Sequence, residues 1–205
     1  YKETDQHMAA EWVKKAGHLR FYDYIGINYW VPRYFPHILA DQLKHIARIG
    51  VEGYGTHSSS MIDTSMPMYY LLYQMLWNAE LDPDAVVDRM VTDLYGKAAG
   101  PVSRYYKHWE DCWQRQTRGR WFWGMDNFRG EMEIYKWEDF ERGRQLLEEA
   151  AKLADDDKVR QVLEPRSPSI PDRLAALRPL LAVAAVVDLA ASRAPVTFAH
   201  RESLR

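Results

Sequence analysis

Two short runs, LRFYDYIGI at 19–27 and VEGYGT at 51–56, sit on either side of a helical pattern, and this order constrains the fold more than any other feature of the chain. Both runs read as strands. The first is rich in aromatic and β-branched residues, and turn-forming residues follow it. Between them Ile38, Leu39, Leu43, Ile46 and Ala47 recur at helical spacing over 37–49, and Gly50 closes the pattern. Strands joined through a helix pair in parallel, whereas antiparallel neighbours need only a tight turn. The expectation is therefore an α/β unit. A helix precedes it, with Thr4 as cap, Met8, Ala9, Trp12 and Val13 on one face, and a stop at Gly17. Pro32 and Pro36 punctuate the loop after the first strand.

After residue 66 the pattern turns helical. Pro67 is expected to start a helix that runs through Trp77. Asp82 and Pro83 supply the cap and first turn of the next, which Gly96 ends. Pro101 starts a third, through HWEDCWQ, and a loop rich in Trp, Phe, Gly and Arg at 118–130 leads to a fourth, from about Trp137 to Leu153. Every tryptophan, tyrosine and methionine lies before residue 138, and no lysine follows Lys158. The organisation expected is an α/β part over 1–65, a helical domain over 66–158 and an Ala/Pro/Arg-rich tail over 159–205. That tail has two readings: an Ala-rich helix from Asp172 to Ser192 interrupted near Pro179, or a stretch translated out of frame with the preceding domain.

A net charge of −2 with no basic stripe gives no support to nucleic-acid binding. The longest apolar run, LLAVAAVV at 180–187, falls far short of the ~20 residues a membrane span needs. Cys112, the single cysteine, is expected to be a small buried apolar residue. Neither a P-loop nor a dinucleotide-binding glycine pattern occurs, so no cofactor is expected. His37, Asp41 and His45 share a helix face, but no zinc-binding spacing accompanies them and no metal is expected. The acidic pairs Glu110–Asp111 and Glu138–Asp139 read as solvated helix positions.

The stretch FYDYIGINYW, 21–30, carries the densest candidate chemistry. Strand alternation puts Phe21, Asp23 and Ile25 on one face and Tyr22, Tyr24 and Gly26 on the other, with Asn28, Tyr29 and Trp30 beyond the strand end. Flat rings beside hydrogen-bonding groups suit a sugar, whose C–H patches stack and whose hydroxyls demand polar partners. The same composition suits an ordinary aromatic core. At the second strand, Glu52, Tyr54 and His57 bring polar groups forward, and Asp23 and Glu52 are candidates for neighbouring carboxylates at adjacent strand ends. Glycoside hydrolysis requires such a pair to face one bond.

The stretches HLRFYDYIGINYW, ARIGVEGYGTHSS and LLYQMLWNAELDPDAVVDRMVTDLYGKAAGPV together resemble the C-terminal part of a glycoside-hydrolase-like family labelled domain of unknown function 4838. The resemblance covers about residues 15–155. It implies a TIM-type barrel followed by a helical domain, with 19–57 as the last two strands, earlier strands before Tyr1, and an acid/base residue on one of those earlier strands. The carbohydrate partner would then meet Asp23, Tyr24, Asn28, Tyr29, Trp30, Glu52, Tyr54 and His57. The LWNAELDPDA run reads as a helix corner packed by Trp77 and Leu81.

Overall fold

The computed structural model describes residues 2–25, 33–57, 62–116 and 134–163. Asn28, Tyr29, Trp30, the 118–130 loop and the tail from 164 onward lie outside the described residues. In chain order the elements are α1 (Lys2–Lys15), β1 (Arg20–Asp23), α2 (Pro36–Ile49), β2 (Gly53–Thr56), α3 (Ile62–Trp77), α4 (Pro83–Tyr95), a 3-10 turn (Gly96–Ala98), α5 (Ala99–Gln114), α6 (Trp137–Leu153) and α7 (Asp157–Leu163). The architecture is mostly helical around a small two-stranded parallel sheet. No helix among the described residues is long and apolar enough to cross a membrane.

β1 and β2 pair in parallel, with Arg20 opposite Gly53 and Asp23 opposite Thr56. Each strand is four residues long, shorter than the runs that announced it. The crossover helix α2 buries Leu39, Leu43 and Ile46, while Ile38 and Ala47 stay exposed at the margins of that stripe. Gly50 ends it at φ 87°, a left-handed conformation that costs glycine little. The Gly50 N–H donates to Ala47 O and the Val51 N–H to Ile46 O, the paired closure of a helix C-terminus.

Three helix starts differ from expectation: those of α1 and α3, and that of α5, which begins at Ala99, two residues before Pro101. α1 begins at Lys2, so Thr4 lies inside it. Its Ala9 is buried, but Met8 and Trp12 are exposed. α3 begins at Ile62, and Pro67 sits within it. Proline removes one backbone donor there, yet the ring is fully buried, so packing offsets the lost bond. The α4 start is as read, with Asp82 accepting from the Asp84 N–H at 3.2 Å and Pro83 at the first helical position, but Trp77, expected to pack this corner, is 94% exposed.

α2, α3, α4 and α5 pack in succession through Leu39, Leu43, Met68, Leu71, Leu72, Met75, Val91 and Val102. α5 then packs along α6, where the Trp109 ring approaches Gly143 so closely that a Cβ there would lie 2.8 Å from its Cζ2. The Trp109 ring is fenced by Tyr105, Tyr135 and Phe140, with ring centroids 5.4–5.9 Å away.

Candidate functional site

The parallel register divides the predicted residues between two faces of the sheet. Phe21 and Tyr54 stand opposite each other and stack at 6.3 Å. Asp23 shares their face, on the side of α2: its carboxylate accepts from Gln42 Nε2 of α2 at 3.4 Å, from the Tyr54 hydroxyl at 3.5 Å and from the Tyr24 N–H at 2.6 Å. Burial and the Asp23 carboxylate both push the Tyr54 phenol well above its ordinary value. Asp23 and Tyr54 therefore meet, but they meet in the layer between sheet and helix.

Glu52 does not join them. Its N–H donates to Leu19 O, so it precedes β2 at the end where the strands begin. Four residues, about 13 Å of strand, separate that level from Asp23. The exposed Glu52 carboxylate accepts from His18 Nδ1, 2.9 Å from both oxygens. Strand alternation has period two but says nothing of register, so the adjacent-carboxylate expectation fails at the pairing step.

Among the described residues, the opposite face of the sheet is open. Arg20, Tyr22 and Tyr24 project there from β1 and its C-terminal end, and His57 follows from β2. Tyr22 is 56% exposed, and its ring meets Tyr24 edge-on at 5.3 Å. The Tyr22 hydroxyl lies 2.7 Å from His57 Nδ1, and the Tyr24 and His57 rings lie 5.7 Å apart at 35°. From α3, the Tyr69 hydroxyl donates to the His57 carbonyl at 2.8 Å and fixes the end of β2. Arg33 Nη1 donates to the Tyr24 carbonyl at 2.6 Å and does the same for β1.

On this face β2 contributes glycines. A Cβ at Gly55 would sit 3.0 Å from the Tyr22 ring, and one at Gly53 3.3 Å from the Arg20 side chain. Both β1 side chains thus lie across bare backbone. The set brought together on the open face is Tyr22, Tyr24 and His57. Of these, Tyr22 is absent from the binding residues that the sequence suggests, although its alternation with Tyr24 is visible there.

Two buried polar clusters lie elsewhere, and both correct the sequence reading. Glu110, expected to be solvated, is 2% exposed. It accepts from the His37 N–H and from His37 Nδ1, while His37 Nε2 faces Asp84 at 3.3 Å. Burial opposes protonation of His37, but the two carboxylates outweigh it and raise the imidazole above its ordinary value. The His37–Asp41–His45 row accordingly does not converge on one point: His45 Nε2 donates to Gln6 O.

Asp139 is also buried. It accepts a two-pronged pair from Arg115 at 3.0 and 2.5 Å and the Lys136 N–H at 2.7 Å. Ligand-type atoms of His108, Cys112 and Asp139 lie within 4.8 Å of one another. The arrangement does not suit a cation. The Arg115 guanidinium already holds both Asp139 oxygens, and His108 Nε2 donates to the Asp139 carbonyl at 2.8 Å. Burial and the nearby Asp139 push the Cys112 thiol up to about 12, so it stays protonated. Cys112 is the small buried residue anticipated.

No curated protein and no solved structure matches the chain at a significant level. Residues 2–108, which span α1 to the middle of α5 and include both strands, match the family model described as Domain of unknown function (DUF4838). The chain belongs to that family.

Proposed function

We propose that the chain is the carbohydrate-binding end of a glycoside-hydrolase-like protein, with β1 and β2 as the last two strands of a TIM-type barrel. The observation that carries this is the cluster of exposed Tyr22 and His57 with half-buried Tyr24, at the C-terminal ends of two parallel strands. In a barrel, that face looks into the lumen and those ends hold the active site. α1 and α2 pack side by side, and Gln42 of α2 reaches Asp23 on the other face of the sheet, the side an outer-layer helix occupies. Rings supply the apolar faces a pyranose stacks on, and His57 supplies a polar edge. Asp23 is turned toward α2 and Glu52 sits at the far end. This segment's part is therefore binding and positioning, with the reactive carboxyl groups on earlier strands.

The test is titration calorimetry with β-1,4-linked gluco-, xylo- and manno-hexasaccharides. Tyr24→Ala should weaken the bound sugar about tenfold, roughly 1.4 kcal/mol. Unchanged affinity, or no binding by the wild-type protein, would overturn the reading. A second reading, a helical interaction module, has one observation behind it: Tyr73, Leu76 and Trp77 are exposed along one side of α3, Trp77 at 94%. On that reading Trp77→Ala abolishes a protein contact and leaves sugar binding untouched.

A further inference from the structure

We infer that Tyr22 is a positioning residue that sets the tautomer of His57, so that the open face presents a fixed Nε2–H donor beside the Tyr24 ring. The ligand it selects must offer an acceptor oxygen next to an apolar C–H face. This deepens the carbohydrate reading of the same face and rests on it for the identity of the ligand.

The geometry starts at β2. Gly55 stands opposite Tyr22, and the absence of a side chain there lets the Tyr22 ring lie across the neighbouring strand. Its hydroxyl thereby comes within 2.7 Å of His57 Nδ1. A phenol O–H is a good donor, and a neutral imidazole has one donor and one acceptor nitrogen. With Nδ1 accepting from Tyr22, the proton sits on Nε2. The ring cannot turn away freely, because the His57 carbonyl is held by Tyr69 and the imidazole lies against the Tyr24 ring. Among the described residues Nε2 has no partner, and His57 is exposed. A donor held in one place beside a ring discriminates among ligands by where their oxygens lie. A pyranose hydroxyl or ring oxygen at the edge of a C–H face meets that requirement, while a purely apolar ligand leaves Nε2–H unpaired.

The experiment is two-bond 15N–1H correlation of the histidines in the 15N-labelled chain at about pH 9, where an ordinary imidazole is neutral. It is paired with the same hexasaccharide titrations. Tyr22→Phe removes one exposed oxygen and keeps the ring, so the fold persists. His57 should show a single Nε2-protonated form in the wild type and a mixture in Tyr22→Phe, with sugar affinity falling three- to tenfold. Gly55→Val, which displaces the Tyr22 ring, should give the same mixture. An unchanged His57 spectrum in Tyr22→Phe overturns the positioning role, whatever the sugar does. A single tautomer in a wild-type protein that binds none of the hexasaccharides overturns the ligand assignment and the carbohydrate reading with it.

Discussion

Glu110 reaches from α5 to the first turn of α2 and accepts two hydrogen bonds from His37, 3.2 Å from the backbone N–H and 2.7 Å from ring Nδ1. α2 has no side-chain cap of its own, because Phe35 occupies the cap position. Its first-turn amides need an acceptor, and a buried carboxylate from another helix provides one. The same carboxylate pairs with the imidazole. One residue thus joins the α/β part to the helices that follow.

Removing that carboxylate should be costly. Glu110→Ala leaves a helix amide and an imidazole without their partner, and hydrogen bonds to charged groups contribute about 1.5–3 kcal/mol. A loss of about 2–3 kcal/mol in urea unfolding is expected. A loss under about 0.5 kcal/mol would place Glu110 among ordinary surface acids.

The His37 contact should make stability depend on pH. Its folded-state value is raised by Glu110 and Asp84 above that of the unfolded chain. The contribution is therefore present in full below the unfolded histidine value, about 6.5. It is lost as pH rises through the higher folded value. Wild type should exceed His37→Gln in stability most at pH 6 and least at high pH. A gap that does not change with pH over this range would show that His37 is held by shape alone.

Gly143 should not tolerate a methyl group. A Cβ there would lie 2.8 Å from Trp109 Cζ2 and 3.3 Å from Cε2, and that ring is fenced in by other aromatics. Overpacking costs about 1–3 kcal/mol, against a helix-propensity gain of ~1 kcal/mol. Gly143→Ala should therefore be net destabilising by about 1 kcal/mol in denaturant titration. A stabilised variant would mean that Trp109 shifts readily.

Cys112 should be chemically silent in the folded protein. Burial and Asp139 hold it as a thiol with a value of about 12. Labelling with a disulfide reagent at pH 8 should proceed only through unfolding and accelerate in step with added urea. Fast labelling in native buffer would show that the Arg115–Asp139 clasp opens locally.

Much of the local structure was legible in the residues themselves. Asp82–Pro83, Gly50 and the Trp137–Leu153 pattern are signals whose causes lie within a few positions, and each element appears where they put it. Alternation likewise separated Phe21 and Asp23 from Tyr22 and Tyr24. What escaped was set by distant partners. The register of β1 on β2 sends Glu52 to the wrong end. Glu110 and Asp139 look like solvated acids until His37, 73 positions away, and Arg115, 24 positions away, are brought to them. The role of Gly55 depends on Tyr22 opposite, a pairing that neither strand specifies alone.

The family match ends at residue 108, inside α5 and just short of Glu110. A recombinant segment trimmed to that limit would lose the acceptor for the start of α2 and leave α5 without its second half. Trp109 and Trp113 would go with it. Sequence kinship and mechanical self-sufficiency thus have different limits in this chain. Expression of a well-behaved unit should require carrying the cut past α6, to the end of the helix that Trp109 packs against.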